Sequence, residues 1–185
     1  MRTRHLVLLI LAALALGGAW ARRQTGASAC AGLSGAGEGG GARRLVYLKA
    51  EHQLCLLDAQ GVVWERRASH GREPGKKRHE GDGRTPEGRY TVSVARVSQR
   101  FGLFMPISYP SVEDIERARA EGKQAGGSIG IHGPQRWYAF LGRAQALVDH
   151  SDGCIVLDAD GIEQLAALVK KPVPIEILPI TSGGS

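Results

Sequence analysis

The sequence predicts a mainly β domain, a sheet-on-sheet body with peripheral helices. Three observations carry that expectation. Short apolar stretches separated by polar or Gly breaks fill the first half of the chain, helical spacing is confined to the second half, and no regular β–α alternation suggests a doubly wound sheet. At 185 residues the chain can bury one real core but is too short for two comfortable ones.

The N-terminus reads as a targeting segment. "MRTRH" is a basic start, Leu6 to Leu16 is uninterruptedly apolar, and "GGAWA" ends in a small-x-small pattern that places a cleavage after Ala21. Residues 1–21 are therefore expected to be a signal peptide, with an N-terminal anchor as the alternative. The apolar run falls short of the roughly 20 residues a bilayer needs. Export to the periplasm or cell envelope follows, with membrane contact only through an uncleaved N-terminal segment. Removing residues 1–21 takes Arg2 and Arg4 and no acid from a formal charge of +6, which leaves a modest basic excess. A nucleic-acid binder shows a basic stripe interleaved with aromatics; here "RR" and "GKKRH" sit at loop-like places, so no nucleic-acid partner is expected.

Residues 22–44, rich in Gly, Ala and Ser, read as a flexible linker. The folded domain is expected over 45–180, with 181–185 as a tail. Within it, Leu45–Leu48, Gln53–Leu57 and Val62–Ala68 read as three short strands in a meander. A long Gly, Pro and charge-rich loop follows, "GREPGKKRHEGDGRTPEG". In "RYTVSVARV", Tyr90, Val92 and Val94 alternate with polar residues as on a half-buried strand. "SVEDIERARAEG" reads as an exposed helix, with Ser111 and Asp114 as a capping box and Gly122 as its stop. "SIGIHG" is β-like. Trp137, Tyr138, Leu141, Ala144, Leu147 and Val148 fall at helical spacing and lead towards Asp149. A last helix turns Ile162, Leu165 and Leu168 or Val169 inward, with Asp160 and Glu163 capping its start and Pro172 limiting its end. "VPIEIL" closes the domain as a strand.

Three cysteines are odd in number, so at least one thiol is left over or paired between chains. Cys55, inside "QLCLLD", reads as core, which makes Cys154 the candidate free thiol. A catalytic Cys needs a proton acceptor and a setting that favours the thiolate. Gly153 leaves the backbone near the sulfur unhindered, and the amides around Gly153 and Cys154 suit an oxyanion. His132 ends a β-like run in "GIHGP", where a general base is best held; His150 is the nearer histidine in sequence but sits on a tight loop.

"GDGRTPEGRY", "SIGIHG" and "SDGCIVL", in that order and approximate spacing, resemble the catalytic domain of the L,D-transpeptidase (YkuD) family from about Leu45 to about Leu178. "DHSDGCIVL", with "GDGRTPEG" and "ISYP", looks closest to the branch with a DGCI-type cysteine motif. The resemblance implies a mixed β-sandwich of the L,D-transpeptidase type. It also implies an exported cysteine acyltransferase that acts on peptidoglycan stem peptides, releases a terminal D-amino acid and passes the acyl group to an amine. Carried over, Cys154 is the nucleophile, His132 the general base and acid, and Gly133 the residue whose carbonyl orients His132. Gly153 supplies an oxyanion amide, and Ser151 and Asp152 contact substrate. No cofactor and no metal are expected.

The commoner family signature carries His where Asp152 stands and Arg where Val156 stands. That leaves open whether the acyl acceptor is an amine or water, as in an L,D-carboxypeptidase or amide hydrolase. A non-catalytic wall-binding module is a further alternative. A zinc peptidase built on His79, Asp82, His132, His150 and Cys154 is the rival from another enzyme class, although no HExxH or paired CxxC occurs. Arg84, Thr85 and Glu87 are expected to be structural.

Overall fold

The computed structural model describes residues 28–33, 43–135 and 148–180. The expected signal peptide, most of the expected linker, the helix expected from Trp137 and the expected C-terminal tail lie outside them. Among the described residues, the strands form two sheets. β1 (Arg44–Leu48), β2 (Gln53–Asp58) and β3 (Gly61–Arg67) are the expected meander, paired antiparallel in sequence order. β4 (Gly88–Val92) and the final strand, β9 (Val173–Leu178), complete a five-stranded sheet of order β3-β2-β1-β9-β4. The last strand thus enters between β1 and β4, parallel to the first and antiparallel to the second. The second sheet, β5-β6-β7-β8, contains β5 (Arg96–Ser98), β6 (Gly102–Pro106), β7 (Gly130–His132) and β8 (Ile155–Val156).

The core follows the pleat. Leu45, Tyr47, Leu54, Leu56, Val173, Ile175 and Ile177 of the first sheet meet Met105, Ile131 and Ile155 of the second. The alternate residues of β1 and β2 are buried as well, in a separate cluster of Val46, Leu48, Cys55 and Leu57. Ser28–Leu33 covers that outer face. Ala29–Gly32 is a 3-10 turn capped by Ser28, and Cys30 is bonded to Cys55. This departs from the expectation of a featureless linker over 22–44, and it explains why β2 is buried on both faces. Cys55 is core as expected, and also half of a disulfide. Cys154 is the free cysteine.

Two further departures concern strands. "RYTVSVARV" is not one strand: the chain leaves the first sheet at Val92, bridges Ile107, and re-enters as β5 in the second sheet. β6, carrying Phe104 and Met105, was not among the expected strands.

Helix α1 (Val112–Ala120) has the expected capping box, with Ser111 Oγ accepting from the Asp114 amide and Asp114 accepting from the Ser111 amide. The buried Asp114 carboxylate also accepts from Tyr90 and is paired with Arg117. α2 (Ala159–Leu168) buries Ile162 and Leu165 as expected. Its N-cap is Asp158, which accepts from the Gly161 amide, rather than Asp160 or Glu163. Asp158 is chosen because its backbone is still extended at the helix start, the conformation a cap requires. No helix among the described residues is long and apolar enough to cross a membrane.

Candidate active site

β7 and β8 run side by side in parallel, with Ile131 opposite Ile155 and His132 opposite Val156. Ile131 and Ile155 point into the sandwich core, so His132 and Val156 occupy the other face of this sheet. Cys154 precedes Ile155 by one residue, which puts it on the His132 side of the pleat. Both side chains line one cavity of about 1060 Å³. Its walls include Arg100, Phe101, Ser128, His150 and Asp152.

His132 is 1% exposed. Its Nδ1 lies 2.6 Å from the Gly133 carbonyl oxygen, which can only accept, so Nδ1 carries the proton and Nε2 is the basic nitrogen of the neutral ring. Phe101 lies flat against the imidazole, with ring centroids 3.9 Å apart. Burial holds His132 at about 4, against the Gly133 carbonyl, which favours the charged form; His150 and Arg100 add to the lowering. A β-carbon at Gly133 would stand 2.8 Å from the Ile162 Cγ2 of α2, so Gly also keeps the helix close behind the site.

Cys154 is partly buried, and its Sγ donates to the Ser128 carbonyl at 3.7 Å. Burial pushes the thiol above its ordinary range. The Gly130 amide and the charges of Arg100 and Lys77 work against that rise, and Asp152 adds to it. Burial thus disfavours both charged forms, the thiolate of Cys154 and the imidazolium of His132.

The loop before Cys154 is bound tightly to itself. Ser151 Oγ donates to the Cys154 carbonyl at 2.6 Å and accepts from the Gly153 amide at 3.1 Å. The Gly153 N–H, expected to face an oxyanion, is therefore engaged by Ser151. The Ser151 hydroxyl, expected to meet substrate, is used within the loop, although the residue does line the cavity. Gly153 is required for another reason. Its φ is +127°, and a β-carbon would stand 2.4 Å from the Arg84 carbonyl. Asp152 is exposed at the cavity mouth and paired with Arg72.

Thr85 and Glu87 are structural, as expected. Thr85 Oγ1 donates to the Gly153 carbonyl and accepts from the Gly71 amide, while Glu87 pairs with the fully buried Lys49 at 2.6 Å. Three donors of the zinc-peptidase alternative, His132, His150 and Cys154, line the same cavity, but among the described residues the five do not form a group that could hold one ion. Asp82 is occupied by Lys77 and by the amides of Arg78, His79 and Arg84, which hold its carboxyl at about 2 despite burial. The convergent set among the described residues is a different one, His52, His70 and Asp149.

Arg100, Phe101 and Ser128 escaped the sequence reading. The first two lie on the β5–β6 turn, far in sequence from the motifs that carry His132 and Cys154. Val156, where the commoner signature carries Arg, is fully buried opposite His132. The cations whose fields reach the thiol are instead Arg100 and Lys77. Ser128 carried one local signal: it follows two glycines, and its own φ is +57°.

The family model of the YkuD L,D-transpeptidase catalytic domain matches residues 42–177. A search of curated proteins gives no match. Among solved structures, the helical cell shape determining protein Pgp2 from Campylobacter jejuni is similar at 22% identity and a TM-score of 0.60, over 76% of this chain and 49% of that one. Bd1075 from Bdellovibrio bacteriovorus is similar at 23% identity and a TM-score of 0.54, over 78% of this chain and 50% of that one. An L,D-transpeptidase from Stackebrandtia nassauensis reaches a TM-score of 0.52 at 9% identity, over 87% of this chain and 64% of that one. The match thus spans about half the length of the first two. At these identities the structures establish a shared fold.

Proposed function

The chain belongs to the L,D-transpeptidase (YkuD) catalytic domain family, and from that premise we propose that it is an exported cysteine acyltransferase acting on peptidoglycan stem peptides. One observation carries the reading. Cys154, one residue before β8, and His132, the last residue of β7, line one cavity, with the imidazole Nδ1 proton donated to the Gly133 carbonyl.

In this mechanism Cys154 Sγ attacks the carbonyl of the stem's penultimate residue while His132 Nε2 takes the thiol proton. The thiol starts protonated, so the base acts in the attack itself. The C–N bond then breaks, His132 returns the proton to the departing amine, and a terminal D-amino acid leaves. An amine of a second stem, deprotonated by His132, takes the acyl group from sulfur and restores the thiol. The proposed chemistry takes place at the cell wall, a reading supported by the family's peptidoglycan substrates and by the export expected from the N-terminal sequence.

Incubation with purified disaccharide-tetrapeptide, read by mass, tests the proposal. Cross-linked dimer with release of the D-amino acid is expected. Cys154→Ser should abolish it without altering the circular dichroism spectrum. Tripeptide alone would move the acceptor from amine to water, and turnover by Cys154→Ser would remove the thiol mechanism. A carbapenem should add its mass to the wild-type chain at Cys154 and not to Cys154→Ser.

A further inference from the structure

His52, His70 and Asp149 come from three separate segments and converge beside the loop that carries Cys154. His52 lies on the turn between β1 and β2, His70 follows β3, and Asp149 opens the nucleophile loop. One carboxylate oxygen, Asp149 Oδ2, stands 2.9 Å from His52 Nε2 and 3.3 Å from His70 Nε2. The other, Oδ1, accepts from the His70 amide at 2.8 Å.

Proton bookkeeping within this group is unusual. The Tyr47 hydroxyl has a single proton, and the Ala68 carbonyl at 3.0 Å, which can only accept, takes it. His70 Nδ1, 2.9 Å from the same hydroxyl, must then be the donor to it. In the neutral ring with that tautomer, Nε2 carries a lone pair, and the lone pair faces a carboxylate oxygen. Two acceptors in contact, in a residue 1% exposed, call for a positive charge between them, which a second ring proton or a metal ion supplies.

We propose that His52, His70 and Asp149 form a zinc site that ties the root of the nucleophile loop to the first sheet. Two imidazoles and one carboxylate are a recurrent zinc donor set, with Zn–N and Zn–O bonds of about 2.0–2.2 Å. A tetrahedral shell of that size needs donor–donor edges of roughly 3.3–3.5 Å. The His70–Asp149 edge has that length and the His52–Asp149 edge is slightly short. All three donor atoms lie within 4.8 Å of one another. The His52 ring now stacks on His70 at a centroid distance of 4.8 Å, and a swing of that partly exposed ring closes the remaining edge. About a quarter of the His52 and Asp149 side chains is exposed, which gives a fourth ligand, water, access to the ion.

The site's place in the fold gives it a consequence. The His70 carbonyl accepts from the Ser151 amide, and the Ser151 carbonyl accepts from the Arg72 amide. An ion holding His70 and Asp149 therefore fixes both sides of the loop that presents Cys154. It supplies no step of the acyl transfer proposed above.

Zinc chloride titrated calorimetrically into metal-free protein tests this, on a Cys154→Ser background that removes the thiol as a competing ligand. One ion per chain, a raised unfolding midpoint, and binding at least tenfold weaker in His52→Asn are expected. Asn suits the left-handed backbone of position 52, where φ is +54°, so that variant keeps the turn. Asp149→Asn should weaken binding in the same way. X-ray absorption on the zinc-loaded protein with Cys154 intact should show a nitrogen and oxygen shell. No binding at millimolar zinc, equal binding by His52→Asn, or sulfur in the shell would each overturn the site.

Discussion

The Phe101 ring lies flat on His132, at a centroid distance of 3.9 Å and an interplanar angle of 25°, and the Arg100 guanidinium sits 5.0 Å from the Phe101 ring centroid. The β5–β6 turn thus covers the proposed base, His132 at the end of β7. The stacking has two effects: it fixes the plane of the imidazole, and it removes water from it. Phe101→Ala should lower kcat by about tenfold or more through loss of positioning. It should also let the imidazole recover hydration, raising its pKa from about 4 towards the ordinary value, so that the acid limb of the rate profile moves to higher pH. A lower kcat with an unmoved acid limb would leave Phe101 a merely structural role.

Stability should carry the signature of the same histidine. Its folded pKa of about 4 lies below the ordinary unfolded value of about 6.5, so between those limits the unfolded chain binds more protons. Stability therefore rises with pH through this window and is lost as pH falls from about 6.5 towards 4, on the order of 3 kcal/mol at most for this group. Urea unfolding across that range should show a shallower pH dependence for His132→Gln than for the wild type. Parallel curves would remove this contribution.

Arg100 and Asp152 act on the thiol with opposite sign. Arg100→Gln should move the pH midpoint of iodoacetamide alkylation of Cys154 upward, and Asp152→Asn should move it downward. Asp152 is paired with Arg72, so its shift should be the smaller of the two. Midpoints moving in the same direction would contradict the electrostatic assignment.

The Cys30–Cys55 bond closes 25 residues of chain and holds a cover over the outer face of β1 and β2. Replacing both cysteines with Ala should cost about 2–4 kcal/mol in reversible unfolding. Carbapenem acylation at Cys154 should persist in that variant under conditions where it stays folded. Loss of acylation from folded protein would show that the cover reaches the active site.

Much of this molecule was legible locally. The meander was readable because its breaks are turn residues and its strands short. α1 was readable because Ser111 and Asp114 form a cap within four residues. The free thiol of Cys154 and the strand-end place of His132 were readable because both lie in short contiguous motifs, and the Nδ1 bond to the Gly133 carbonyl is the one the family resemblance implies. The Gly153 amide misled because its partner, the Ser151 hydroxyl, is a matter of loop conformation rather than of residue type.

By itself the sequence determined which residues have the chemistry, namely a free thiol, a histidine at a strand end, and alternating apolar faces for a sandwich. Only the tertiary structure decided what surrounds them. β9 inserts between β1 and β4, residues 28–33 roof the outer sheet, Arg100 and Phe101 arrive from a distant turn, and three separate segments bring His52, His70 and Asp149 together. The physical reason is range. Capping, turn formation and pleat alternation act within a few residues, whereas desolvation, ring stacking and charge fields depend on which segments the packed core forces into contact.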